Sequence, residues 1–243
     1  MSINPTSYEQ ACLRIIRWSK NNASKVVCFA NVHMTMTAFD QPVFRAMINQ
    51  ADLVTPDGMP LVWTLWSMGY KNQKRVYGPT LTTKLLPLLA DEGVPIGFFG
   101  STTEVLKKLQ SKIQQQHPEI DIVYANSPPF RELTEEEDQQ IVAEIKSSGA
   151  RVLFVGLGCP KQEIWMYHHK DQVQAVLLGV GAAFDFIAGT KKQAPLWIQR
   201  LGMEWFFRLV TEPKRLWKRY LIGIPLFLWR VLKQRLGGLN LKG

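Results

Sequence analysis

The chain has little cysteine and no cysteine pair. Cys12, Cys28 and Cys159 are its only three, and they lie far apart. They supply neither a disulfide framework nor a thiolate metal site, which fits a reducing cytosol. No Asp-x-Asp occurs, so the usual carboxylate clamp for a metal-bound diphosphate is missing. Gly-x-Ser-x-Gly, His-Glu-x-x-His and Cys-x-x-Cys are absent as well, and with them the nucleophile elbow, the zinc-helix motif and the dithiol motif. No Gly-x-Gly-x-x-Gly follows the first apolar run, so a nicotinamide-dependent oxidoreductase has weak support. The N-terminus shows no charged start followed by an apolar block, and no secretory signal is expected. Neither a bound metal nor a cofactor is expected.

What is present points to a packed core. A hydrophobic content of 46% and eight tryptophans exclude disorder, and 243 residues suffice for one sizeable α/β domain with an appendage. The net charge of +9 is unevenly placed. Residues 194–243 hold ten Lys/Arg against two Glu, a balance of +8, whereas residues 1–193 hold 19 against 18 and stand at +1. Trp197, Trp205, Trp217 and Trp229 also fall in the basic tail. The expected division is therefore an α/β domain over 1–193 and a helical appendage over 194–243.

Short apolar runs alternate with amphipathic segments, the rhythm of a Rossmann-like, mostly parallel sheet flanked by helices. Strands are expected at 25–30, 52–55, 95–100, 120–125, 151–156 and 174–180. Most are near-continuous apolar runs, as strands covered on both faces should be. Helices are expected from 101, with Ser101 and Glu104 in capping-box spacing, and from 134, with Thr134 and Glu137 in the same spacing.

Ligands of such sheets sit beyond the carboxyl ends of the strands, which selects four turns. "TPDGMP" sets Asp57 and Gly58 between a strand and an apolar helix. Asp57 is a candidate general base there, though Pro-Asp-Gly is also a common turn and the aspartate a natural helix cap. "VGLGCPKQE" is a Gly-x-Gly turn. Gly156 and Gly158 suit a phosphate, Pro160 suits the first helical position, and Lys161 and Gln162 add donors. "FGSTTE" (Gly100, Ser101, Thr102) is a weaker phosphate candidate of the same kind. Asn31 and His33 end the first strand, and Asp185 follows a glycine-rich turn; each is either a ligand contact or a satisfied polar group. Arg75 stands in a polar turn, where arginines are usually solvated. His168 and His169 are adjacent and are expected at the surface.

In the tail, Pro213 and Pro225 are expected to interrupt any single long helix. The apolar stretch from Tyr220 to Trp229 is shorter than the roughly 20 residues needed to cross a bilayer. Basic, aromatic helices of this kind lie in a membrane interface. Nucleic acid is discounted as a partner because the tail is strongly apolar and the body nearly neutral. A C-terminal subdomain packed into the core, with a basic outer face, is the competing reading.

Six motifs in order, "ADLVTPDGMPLVW", "RVYGPTL", "VLFVGLGCPKQEIW", "GVGAAFDFIAG", "KQAPLWIQRLGMEW" and "RLVTEPKRLWKRY", resemble the WecG/TagA/CpsF family of bacterial glycosyltransferases, also called glycosyltransferase family 26. The resemblance runs from about Lys25 to Tyr220. It implies an inverting, metal-independent enzyme that moves N-acetylmannosamine from UDP to a polyprenyl-diphosphate-linked N-acetylglucosamine. The reaction would take place at the cytoplasmic membrane face, in cell-surface polymer synthesis. It further implies that Asp57 is the base, with Arg75, Gln162 and Asn31 as matching site residues. Arg208, Arg215 and Arg219 would meet the lipid diphosphate from a membrane-bound appendage. Phe29 stands where some members carry threonine. A different UDP-sugar such as a uronic acid, or a non-catalytic peripheral membrane nucleotide-binding protein, are the alternatives. Self-association through an exposed apolar face is a further expectation.

Overall fold

The computed structural model describes residues 1–237; the last six residues of the expected appendage, Lys242 among them, lie outside the described residues. A six-stranded sheet forms the centre, in the order β2-β1-β6-β5-β3-β4, and every pairing is parallel. The strands are β1 (Lys25–Ala30), β2 (Leu53–Pro56), β3 (Ile96–Gly100), β4 (Ile122–Asn126), β5 (Val152–Gly156) and β6 (Val176–Gly179). Each coincides within a few residues with an expected apolar run.

Period-two alternation divides the sheet between two cores. Val27 and Phe29 of β1 point to a cluster shared with helices α1 (Tyr8–Lys20), α5 (Gly78–Asp91), α6 (Thr103–Gln116) and α9 (Ala183–Ala188). Val26, Cys28 and Ala30 point to the opposite cluster. There they meet α2 (Val32–Asp40), α3 (Pro42–Asn49), α4 (Met59–Ser67), α7 (Glu135–Ser148) and α8 (Lys161–His169). Both faces are thus largely dry over five of the strands, which is why these read as apolar runs; β4, at the edge, is only partly covered.

The helix starts show where spacing is enough and where it is not. Thr134 and Glu137 form the expected reciprocal box at α7. At α6 the cap is Thr102, whose hydroxyl accepts from the Val105 amide, not Ser101. Gly100 and Ser101 both take positive φ at the end of β3, so the chain turns once more before the helix begins. Glu104 is left to pair with Lys108 at 2.7 Å. Pro160 likewise stands one place earlier than expected, as the cap of α8.

The C-terminal segment runs through α10 (Leu196–Arg200), α11 (Glu204–Thr211), α12 (Pro213–Trp217), a π turn (Lys218–Ile222) and α13 (Gly223–Gly237). Pro213 opens α12, as a residue lacking an amide donor should. Pro225 does not interrupt the helical run as expected. It stands in the first turn of α13, and the run passes from α12 through the π turn into α13. α13 packs on α2 and α4, with Phe227 buried in the second core. No described helix is long and apolar enough to cross a membrane.

Candidate active site

The loops leaving β1, β2, β5 and β6 meet at the carboxyl edge of the sheet and open into a cleft. Two adjoining cavities share Asn31, His33, Asp57, Tyr77, Arg208 and Arg219; the larger has a volume of about 680 Å³. The body supplies the floor, and α11, the π turn and α13 supply the opposite wall.

Asp57 is fixed by continuation of the β1–β2 pairing. Its amide donates to the Ala30 carbonyl at 2.8 Å, one step beyond the last paired residues of the strands. Gly58, not Asp57, caps α4, and no side chain serves that cap. The aspartate is therefore free of the turn-capping role. A Cβ added at Gly58 would stand 3.6 Å from Asn31 Cα, an ordinary contact, so backbone packing alone does not demand glycine there.

Arg75 reaches Asp57 twice. Its Nε donates to the Asp57 main-chain carbonyl, and Nη2 stands 3.4 Å from Oδ1. Its remaining end, Nη1, pairs with Glu204 Oε2 at 2.8 Å, and the guanidinium lies 3.9 Å over the Tyr77 ring. Arg75 is thus half-buried between two acids and stays charged, against the expectation of a solvated turn residue. Burial raises the Asp57 carboxyl to about 7; Arg75 opposes the rise and Glu204 adds to it. A carboxyl poised there can accept a proton at neutral pH.

Positive charge gathers beside it. Arg208 Nε is buried without a hydrogen-bond partner, and neither Arg208 nor Arg219 forms an ion pair among the described residues. Arg215 lines the larger cavity but also pairs with Glu212 at 3.0 Å. His33 is lowered to about 4, by burial first and by Arg219 second, and is neutral at pH 7. Asn31 caps α2 by accepting from the Met34 amide at 3.1 Å.

The Gly-x-Gly turn is held from within. Gln162 accepts from the Gly158 amide at 3.1 Å and donates to Gly179 O and Glu163 Oε1, both at 2.7 Å. Gly158 and Gln162 border the cleft. Gly156, Ser101 and Lys161 do not: they line a separate, smaller cavity under Pro128–Phe130. Gly100 is a packing glycine, since a Cβ there would fall 2.6 Å from the Gly156 carbonyl carbon at φ +117°. Thr102 is occupied as the cap of α6. Asp185 sits on α9, accepting from Thr190 Oγ1 at 3.2 Å with Lys191 Nζ at 3.6 Å. His169, expected at the surface, is buried, stacked on Trp165 and bonded to Asp138 Oδ2 at 2.7 Å.

Three cleft residues escaped the sequence reading. Tyr77 follows Arg75 by two positions, and Glu163 lies beside Gln162 with Oε2 unpartnered and its carboxyl raised by burial to about 7. Glu204 had one signal, being one of only two acids in a basic and apolar tail. Among the described residues, no group of three His, Cys, Asp or Glu side chains is arranged to hold a metal ion.

The model of the glycosyl transferase WecG/TagA/CpsF family matches residues 1–240. An N-acetylglucosaminyldiphosphoundecaprenol N-acetyl-beta-D-mannosaminyltransferase of Bacillus spizizenii is 29% identical over 87% of this chain and 80% of its own length. A protein of the same name from Staphylococcus aureus is 30% identical over 85% of this chain and 79% of its own. A match over nearly the whole chain, on a parallel α/β sheet whose carboxyl edge holds an acid beside unpaired arginines, establishes that this chain belongs to the WecG/TagA/CpsF family of glycosyltransferases.

Proposed function

We propose that this chain transfers N-acetylmannosamine from UDP to a polyprenyl-diphosphate-linked N-acetylglucosamine, by one inverting displacement that uses no metal. The observation that carries the reading is Asp57, raised to about 7 in a cleft it shares with Arg208 and Arg219. The acceptor hydroxyl gives its proton to Asp57 as its oxygen bonds to the anomeric carbon. The bond from that carbon to the diphosphate breaks with its electron pair, and UDP leaves from the opposite face. General-base help of this kind is worth about 10²–10⁴ in rate. Arg208 and Arg219, without acids of their own, meet diphosphate charge, the role planar guanidinium groups serve best. The relatives' names supply the acceptor and the transferred sugar; the missing Asp-x-Asp favours metal independence. The C-terminal segment holds the enzyme on the inner face of the membrane, where a lipid-linked acceptor would be met.

The test is transfer from a panel of UDP-sugars to a lipid-diphosphate N-acetylglucosamine, in EDTA, with Asp57→Asn alongside. Transfer from the N-acetylmannosamine donor that is lost in the variant supports donor, base and metal independence together. A strict divalent-metal requirement would remove the charge-stabilising role given to the arginines. Transfer from a uronic acid donor alone would keep the mechanism and change the substrate.

A further inference from the structure

Glu204 is the acid of the C-terminal segment that lines the cleft. It is only 4% exposed and opens α11. One guanidinium is divided three ways: Arg75 Nε goes to the Asp57 carbonyl, Nη2 to Asp57 Oδ1 at 3.4 Å, and Nη1 to Glu204 Oε2 at 2.8 Å. The shorter carboxylate contact belongs to Glu204, so the cation is drawn away from Asp57. Asp57 Oδ2 makes no hydrogen bond among the described residues. Gly202 makes the reach possible. It takes φ +72°, and a Cβ there would stand 3.0 Å from Met59 Cγ, so α11 begins hard against the first residue of α4.

We propose that Glu204 is a positioning residue through which the C-terminal segment sets the proton affinity of Asp57, by competing for Arg75. The consequence for catalysis rests on the reading of Asp57 as the base. Two carboxylates around one guanidinium carry a net negative charge in a poorly solvated site, where Coulomb interactions are weakly screened. Sharing the cation raises the affinity of Asp57 for a proton. Without Glu204, Arg75 closes on Asp57 as a one-to-one pair, which makes a weaker base and occupies the oxygens the acceptor hydroxyl needs.

The phenols, arginines and imidazole around Asp57 do not change charge near neutrality. Tyr8 from α1, Tyr77 before α5 and Tyr220 from the π turn are all raised above the ordinary phenol range, chiefly by burial. Arg208 of α11 stays charged: burial works against the cation, but its ordinary value is far above neutrality and Glu204 and Glu212 favour the charged form. Arg219 is lowered by burial but from a starting point far above neutrality, and His33 is neutral. Glu163, at the far end of the cleft, is also raised to about 7, so the test must observe Asp57 itself.

The experiment uses the full chain and Glu204→Gln, which keeps the shape and an acceptor for Arg75 while removing the charge. The Asp57 carboxyl carbon is followed by NMR against pH, assigned by its loss in Asp57→Asn, and kcat/KM is measured over the same range. The Asp57 midpoint is expected to fall by about one pH unit, a tenfold change in proton affinity. The acidic limb of kcat/KM should move down with it, and the plateau kcat should drop about 3- to 30-fold as the base weakens. An unmoved Asp57 titration in folded Glu204→Gln overturns the proposal. Should that variant not fold, Glu204→Asp replaces it: the shorter acid draws Arg75 less, and the midpoint must fall by a smaller step. Turnover that survives Asp57→Asn overturns the base reading alone, because the Asp57 titration still decides the coupling.

Discussion

The body and the C-terminal segment differ in what they enclose and what they expose. The body encloses Phe98, Phe99, Phe154 and Phe184, and its inward acids, half-buried Asp57 and buried Glu163, lie where it borders the cleft. Beyond Ala194 the described residues enclose few large apolar side chains, Leu216 and Phe227 among them, and turn charge toward the cleft. Glu204 is buried, and Arg208 and Arg219 are half-buried against the cleft. Trp197, Phe206, Trp217, Trp229, Leu232 and Leu236 are exposed by 50% or more, or nearly so. Isolated exposed apolar residues are ordinary, but buried charge together with many large apolar side chains exposed along one segment is informative. Helices with polar residues inward and tryptophans outward suit a segment lying between a charged cleft and a second apolar phase. A bilayer interface is such a phase. This is the physical ground for the proposal that the enzyme lies on a membrane, and no described helix is long and apolar enough to span one.

The largest expected break in this comparison comes from the inner side. Asp57→Asn should lower kcat by about 10²–10⁴, the usual worth of a general base. The same change should stabilise the fold above pH 7. A carboxyl whose folded value is about 7, against an ordinary value of 3.8, binds its proton more tightly folded than unfolded. It therefore costs stability progressively as pH rises from about 4 to 7, and the cost persists above. Removing it should raise stability at pH 8 by on the order of 1–4 kcal/mol. Urea denaturation of both forms at pH 5 and pH 8 checks the sign: the gap must widen with pH.

Next in size are the unpaired cations. Arg219→Ala should reduce kcat/KM with the lipid acceptor by about 10- to 100-fold, the worth of one charge-assisted contact to a phosphate. Raising the ionic strength should not mimic the loss if the contact is shielded from solvent. An equal loss with a water-soluble acceptor lacking the diphosphate would show that the arginine serves the fold rather than the anion.

The outer side should give a comparable effect on a different measurement. Replacing Trp217, Trp229 and Leu232 together by serine removes exposed apolar area worth about 1.5–3 kcal/mol for each side chain that a membrane fully covers. Flotation with anionic liposomes should then fall at least tenfold, while the circular dichroism spectrum and NMR titration of Asp57 stay unchanged. Undiminished flotation would return the segment to the competing reading, a core-packed subdomain whose basic face alone binds.

How much of this was legible depends on how local the cause is. Five strands were readable because coverage on both faces leaves unbroken apolar runs, β4 from its own short run at a partly exposed edge, and Thr134 because a capping box is complete within four residues. Asp57 and Arg75 were picked out by motif and family resemblance. Their mutual contacts required the fold, as did the burial of His169, which depends on Trp165 and on Asp138, 31 positions away. Glu204 was missed because its partner is 129 positions away, and no spacing rule joins residues across that distance. The glycine turn at Gly100 shows the converse. Its composition is that of a phosphate loop, yet a Cβ there would fall 2.6 Å from the Gly156 carbonyl carbon, so packing alone accounts for the glycine.

That turn supplies the smallest test and the one that best separates packing from ligand binding. Thr102 has a hydroxyl at a helix N-terminus, the arrangement of an anion site, yet the hydroxyl already accepts from the Val105 amide at 3.2 Å. Gly156 and Ser101 beside it face the smaller cavity, which shares no residue with the Asp57 cleft. A cap replaced by alanine costs about 0.5–2 kcal/mol. Thr102→Ala should therefore lower the unfolding midpoint measurably while leaving KM for the UDP donor within about twofold, below the roughly 1.4 kcal/mol that a tenfold change requires. A tenfold rise in donor KM with little loss of stability would move the phosphate site to β3 and away from the arginines. Loss of stability with KM unchanged leaves the charged wall of the C-terminal segment as the place where the diphosphate is met.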